Sequence, residues 1–240
     1  MTQHTLQGRS EQEILWFQRR DALKAAAAWV AMGGLPAAMA QARSNVVQKT
    51  GDALLNGLSL QPGQSIQTGD QISTGPGANL MFVIGNAAFQ VRQNSMLTVE
   101  RGDSLNAVSL LRLITGAVVS VWGKGRSRSI VMPTITAGIR GTGIYSEVFA
   151  DQNNRSYFCN CYGVVDLDSN GEKRVSTADY HQAFWGEVDP KGGRNLTPAN
   201  AINHTDEELE FLAKLIEQRT NWQVLGRKGI KNGSGKAEYS

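Results

Sequence analysis

The chain has 240 residues, 41% of them hydrophobic and 19% charged, with a formal net charge of +3. That is enough apolar chain to bury a core and too little charge for a disordered protein. The 24 Lys and Arg against 21 Asp and Glu, scattered rather than striped, argue against a nucleic-acid partner, and no apolar run reaches the about 18 residues of a confident membrane span, which excludes a polytopic membrane protein.

Residues 1–42 differ in character from the rest. A polar stretch to Gln18 leads into Arg19-Arg20, then Asp21-Ala22-Leu23-Lys24, then a nearly charge-free segment over 25–40, the three parts of a signal peptide. The arginine pair with Leu23 and Lys24 resembles the twin-arginine export signal, Ser/Thr-Arg-Arg-x-Phe-Leu-Lys, with Gln18 and Ala22 at the Ser/Thr and Phe positions. Gly33, Gly34 and Pro36 keep the segment too short and weak for a permanent anchor, and small-x-small exits follow Ala40 and Ala42. The expectation is a periplasmic protein that meets the membrane only transiently, through its signal, and folds before export.

The mature chain is expected to be all-β from 43 to 189. Short β-branched and aromatic runs punctuated by turn residues predict strands at 65–67, 71–74, 79–84, 87–92, 96–100, 110–114, 117–122, 129–132, 135–137, 143–150, 155–162 and 164–168. Asn170-Gly171 then turns a hairpin into 173–177. A sandwich, a barrel and a short β-solenoid all suit this spacing. After Asp189, Pro and Gly mark an irregular connection, and 190–225 contains one helix: Thr205 as N-cap with Glu208 three residues on, then an apolar stripe of Leu209, Leu212, Leu215 and Ile216 expected to dock on the β domain. Residues 226–240 are expected as a flexible tail.

Four blocks carry a resemblance. Gly63-Gln-Ser-Ile-Gln-Thr-Gly69-Asp70-Gln-Ile-Ser-Thr-Gly75-Pro-Gly-Ala78, the strand ending in Thr115-Gly116-Ala117-Val118-Val119, the segment Pro133-Thr134-Ile135-Thr136-Ala137-Gly138-Ile139-Arg140-Gly141-Thr142, and Cys161-Tyr162-Gly163-Val164-Val165-Asp166-Leu167 together resemble the FecR domain over residues 46–177. The resemblance implies an all-β extracytoplasmic sensing or interaction module, known from regulators that pass an iron-uptake signal to a sigma factor. Those regulators carry an anti-sigma domain ahead of their membrane span; only residues 1–18 precede the arginine pair here, so direct sigma-factor control is not expected.

Chemistry-bearing residues are few. After loss of the signal the chain keeps Cys159, Cys161, His181 and His204, a set of thiolates and imidazoles suited to tetrahedral zinc or copper. The cysteines, two apart, share one face of a strand. Competing readings are a Cys159–Cys161 disulfide, which needs local distortion because the Cα atoms of an extended i, i+2 pair stand about 7 Å apart, and two small buried thiols. For the histidines the alternative is a surface or capping role. The Gly138–Gly143 segment lacks the following helix and the Lys-Ser/Thr of a phosphate loop, so it reads as a β-turn in which Arg140 is a buried, multiply bonded anchor, Gly141 makes the turn and Thr142 opens the next strand. Asp166 and Asp168 read as solvated surface charges. Tyr157, Phe158, Tyr162, Tyr180, Phe184 and Trp185 suit packing under the C-terminal segment, with a sugar or peptide groove as the alternative. No nucleophile stands in a recognisable setting, so no enzyme is expected. The sequence thus predicts an exported, non-catalytic sensing or interaction module for a protein or cell-envelope partner, with a metal- or cofactor-binding protein and a carbohydrate-binding module as alternatives; the identity of any cofactor is open.

Overall fold

The structure is a computed structural model that describes residues 44–102, 107–125 and 127–230. The export signal with Arg19 and Arg20, both cleavage points and residues 231–240 lie outside the described residues.

The described chain is all-β with two short C-terminal helices. In chain order the strands are β1 (Val46–Thr50), β2 (Ala53–Leu55), β3 (Leu58–Ser59), β4 (Gln71–Thr74), β5 (Asn79–Ile84), β6 (Ala87–Val91), β7 (Met96–Arg101), β8 (Val108–Trp122), β9 (Arg128–Val131), β10 (Thr136–Ile139), β11 (Gly143–Phe149), β12 (Arg155–Ser169), β13 (Glu172–Ala178), β14 (Gln182–Lys191) and β15 (Arg194–Ala199). The helices are α1 (Asp206–Leu215) and α2 (Asn221–Leu225).

Two sheets share their longest strands. The first runs β1-β5-β6-β8-β11-β12-β14-β15, all antiparallel. The second runs β3-β2-β4-β7-β8-β9-β10-β12-β13, antiparallel except for the parallel β8–β9 pair. The early half of β8 pairs with β7 and β9, and its later half with β6 and β11. β12 changes sheet in the same way, from β11 and β14 to β10 and β13. Each pivots on a glycine at positive φ, Gly116 at 76° and Gly163 at 100°, a backbone state that costs a residue with a Cβ. A Cβ at Gly163 would also come within 2.7 Å of the Gly141 carbonyl oxygen. Strands that bend from one sheet into the next are the corner device of packed-sheet folds.

Period-two alternation places the core. In β5, Leu80, Phe82 and Ile84 point inward; Leu97 and Val99 of β7, Leu111 and Leu113 of β8 and Ile130 of β9 meet them from the second sheet. Phe89 stacks on Phe82 at 5.0 Å and meets the edge of Trp122 at 5.1 Å. A second apolar cluster lies on the outer side of the first sheet, where Val119, Val121, Tyr145, Tyr157, Cys159 and Cys161 are covered by Leu209, Leu212, Ala213 and Trp222 of the helices.

Several expectations meet a different backbone. The separate strands at 110–114 and 117–122 are one strand, β8, and 155–162 and 164–168 are one strand, β12, because the glycine between each pair bends the chain without breaking it. Residues 65–67 join no strand; Asn45 there binds both the N–H and the C=O of Ile66. The connection after Asp189 contains a hairpin, β14 to β15, turning at Gly192 and Gly193, both at positive φ.

Candidate metal centre

The site grows from one stretch of β12. Alternation sends Phe158 into the inter-sheet core and Tyr157, Cys159 and Cys161 to the outer face. His181 sits in the turn between β13 and β14 at φ 26°, and its backbone N–H donates to the Cys161 carbonyl, which brings its ring over the cysteine face. His204 comes from the segment entering α1. That segment is laced to β12: the Tyr157 hydroxyl donates to Asn200 O at 2.8 Å and accepts from the Ile202 N–H at 3.2 Å. The His204 ring stacks on Tyr145 at 4.7 Å.

The ligand atoms of Cys159, Cys161, His181 and His204 all lie within 4.8 Å of one another, and all four residues are buried. Cys159 Sγ and Cys161 Sγ are 3.8 Å apart, Cys159 Sγ and His181 Nδ1 3.7 Å, Cys161 Sγ and His204 Nε2 3.4 Å, and His181 Nδ1 and His204 Nε2 3.0 Å. Tetrahedral zinc, with Zn–S near 2.3 Å and Zn–N near 2.05 Å, requires edges of about 3.8 Å for S–S, about 3.6 Å for S–N and about 3.3 Å for N–N. These four of the six edges fall within a few tenths of an ångström of those values. A two-iron cluster would put the thiolates and the imidazoles on different metals, whereas here the thiol–imidazole edges, at 3.7 and 3.4 Å, lie between the sulfur–sulfur and nitrogen–nitrogen edges. Both thiols are free in this structure, with their sulfurs 3.8 Å apart.

The outer nitrogens fix the inner ones. His204 Nδ1 donates to the Ile202 carbonyl at 2.6 Å, and His181 Nε2 donates to Asp206 Oδ1 at 2.9 Å. Neither acceptor carries a proton to give back, so each ring turns a lone pair toward the cluster, the arrangement in which metal-bound histidines are held. Either a proton or a metal ion must lie between two such nitrogens 3.0 Å apart. Without metal the cluster uses a proton. Burial disfavours the His181 cation, but its bonds to Asp206 and Cys159 outweigh burial and raise its pKa. Burial likewise opposes a Cys159 thiolate, yet the hydrogen bond from Cys161 and the neighbouring imidazoles hold its pKa well below the ordinary thiol value. Cys161 is pushed up by burial and by the thiolate beside it.

Asp206 anchors the outer ring of contacts. Besides His181 it accepts from the Tyr180 hydroxyl at 3.0 Å and pairs with Lys228 Nζ at 2.5 Å. Burial would raise its pKa, and these donors bring it well below the usual carboxylate range. Trp222 closes the top, stacked on His181 at 5.5 Å and edge-on to Tyr162 and Tyr180. Asp206 is a residue of the site that the sequence reading missed; its signal was its position two residues after His204. Lys228, expected in a flexible tail, is tied to this carboxylate.

The remaining candidates lie elsewhere. Arg140 is a correction: its side chain is 67% exposed, not buried, and its Nε and Nη2 both donate to Asp166 Oδ2 at the surface. In β10 Ala137 and Ile139 point inward, so alternation carries Arg140 to the outward face with Gly138, whose β12 partner is Asp166; Gly141 turns at φ 87°, and Thr142 is buried at the start of β11. Asp168 accepts from the Gly171 N–H in the hairpin turn. The aromatics divide by alternation: Phe158 and Phe184 fill the inter-sheet core, Tyr157, Tyr162 and Tyr180 the outer cluster. Trp185, half-buried, lies under the Arg155 guanidinium at 4.1 Å.

No known family's sequence pattern matches the chain, and no curated protein matches it. Among solved structures, two crystal structures described as a "putative anti-sigma factor" from Parabacteroides distasonis ATCC 8503 are similar. One, at 1.65 Å, aligns with a TM-score of 0.45 and 8% identity over 60% of this chain and 64% of that one. The other, at 2.50 Å, aligns with a TM-score of 0.45 and 9% identity over 62% and 65%, so this chain spans less than two thirds of either neighbour.

Proposed function

We propose that the protein is a non-catalytic metal-binding β-domain protein that holds one zinc ion through Cys159, Cys161, His181 and His204. The observation that carries this reading is the set of four buried ligand atoms within 4.8 Å of one another, four of whose six separations match the edges of a zinc tetrahedron. Charge supports a divalent ion. Two thiolates, the Asp206 carboxylate and the Lys228 ammonium sum to minus two, which zinc neutralises and Cu(I) leaves at minus one, and a buried site favours neutrality. Four protein donors leave no open position for substrate, the pattern of a structural site rather than a catalytic one. The arginine pair and the FecR-like motifs support an exported sensing or interaction module acting on a protein or envelope partner, and the metal site is what this chain adds to such a module.

Metal analysis of the purified folded protein is the test, together with cobalt substitution, which colours a two-thiolate tetrahedral site. One equivalent of zinc, and a thiolate-to-cobalt band lost in Cys161→Ser, are expected. A folded protein that takes up neither ion at micromolar concentration refutes the proposal.

A further inference from the structure

We infer that the bound ion is the clasp of the C-terminal helical cover, so that metal occupancy decides whether residues 200–228 stay docked on the outer face of the sheet. The inference rests on the metal reading above. The ligands divide unequally between two parts of the fold. Cys159, Cys161 and His181 belong to the β scaffold, in β12 and the β13–β14 turn, whereas His204 and the Asp206 that orients His181 belong to the cover.

The scaffold has its own core. The inter-sheet cluster, from Ala53 to Leu196, contains no residue of either helix. The cover has none: α1 has ten residues and α2 five, lengths at which a helix in water is marginal without packing partners. Its buried apolar residues are Leu209, Leu212, Ala213 and Trp222, and Trp222 packs on His181 itself. Away from the centre, the polar ties to the scaffold include the Arg92–Glu208 ion pair, the Tyr157 hydroxyl with Asn200 and Ile202, Asn203 with Glu147 and Asn221 with Asp179, each of modest net strength beside a metal–ligand bond. The Lys228 tie ends on Asp206 and so belongs to the centre. Removing the ion therefore cuts the strongest attachment of the cover and leaves the scaffold core intact, and the face it uncovers carries Val119, Val121, Tyr145 and Tyr157.

Hydrogen exchange and limited proteolysis of the full chain, zinc-loaded and then stripped with a chelator, test this, with zinc measured on the same samples. Stripping is expected to raise amide exchange in α1 and α2 by at least about tenfold, to open protease sites within 200–228, and to leave β4, β5 and β7 unchanged; added zinc restores all three. His204→Ala is expected to free the cover even with zinc present, with β4, β5 and β7 again unchanged. Zinc that binds and leaves without altering exchange in 200–228 overturns the clasp while sparing the metal reading. Exchange that rises equally in β4, β5 and β7 also overturns it, because the ion would then hold the whole domain. A protein that binds no zinc removes both.

Discussion

Asp206→Asn changes one atom of the centre's outer ring and no ligand. The carboxylate stands 2.9 Å from His181 Nε2, and the residue is only 6% exposed, so water cannot replace it. Asparagine can still accept from His181 through its carbonyl, but it brings no charge, and its amide N–H group then faces the Lys228 ammonium, donor against donor. Removing such an outer partner typically weakens metal binding by about 10–100-fold, or about 1.4–2.8 kcal/mol. The lost Lys228 pairing places this substitution toward the upper end. The metal-free protein is also weakened, because its His181 cation faces the same carboxylate, so the quantity to measure is the zinc Kd by competition with a chromogenic chelator, with circular dichroism to establish that both proteins are folded. A Kd within twofold of the parent in a folded protein would refute the argument that this carboxylate sets the centre's affinity.

Cys159→Ser is expected to abolish stoichiometric zinc, read by metal analysis, while the far-ultraviolet dichroism of the β domain persists. Zinc binding should weaken steeply as pH falls through neutrality: Cys161 and His181, both with raised pKa values, hold protons the ion must displace, so Kd is expected to rise by up to about a hundredfold per pH unit lowered where both are protonated; a pH-independent Kd would exclude ligation by this pair. Phe89→Ala, which empties a fully buried site against Phe82 and Trp122, is expected to cost about 3–5 kcal/mol in urea unfolding. Arg140→Ala is expected to cost no more than about 1 kcal/mol in the same assay, because its pair with Asp166 lies in solvent; a larger loss would mean the turn depends on the guanidinium.

The strands were legible because each obeys a local rule. Leu80, Phe82 and Ile84 alternate with half-exposed neighbours, and Thr205 with Glu208 forms the reciprocal cap that its spacing predicts, at 3.3 and 2.9 Å. The candidate centre was legible as an inventory and not as a geometry. Cys159 and Cys161 share a strand face by periodicity, but His181 arrives from a turn and His204 from a loop 43 residues after Cys161, and only the tertiary fold sets those approaches. Arg140 shows the opposite case. Its turn was readable from the glycines, and its outward direction follows the alternation that buries Ala137 and Ile139, a local signal that the expectation of a buried anchor overrode.

The two strands that belong to both sheets have a kinetic consequence. Since β8 and β12 each supply pairing edges to both layers, neither layer can be finished while the other is unformed, and pairings such as Ala87 with Trp122 and Ser156 with Gly186 join distant parts of the chain. Loop closure must precede most of the favourable contacts, the condition under which domains fold in milliseconds to seconds rather than microseconds. The sandwich should therefore appear in one slow, all-or-none step, with a single exponential in refolding, and the helices should join it only afterwards.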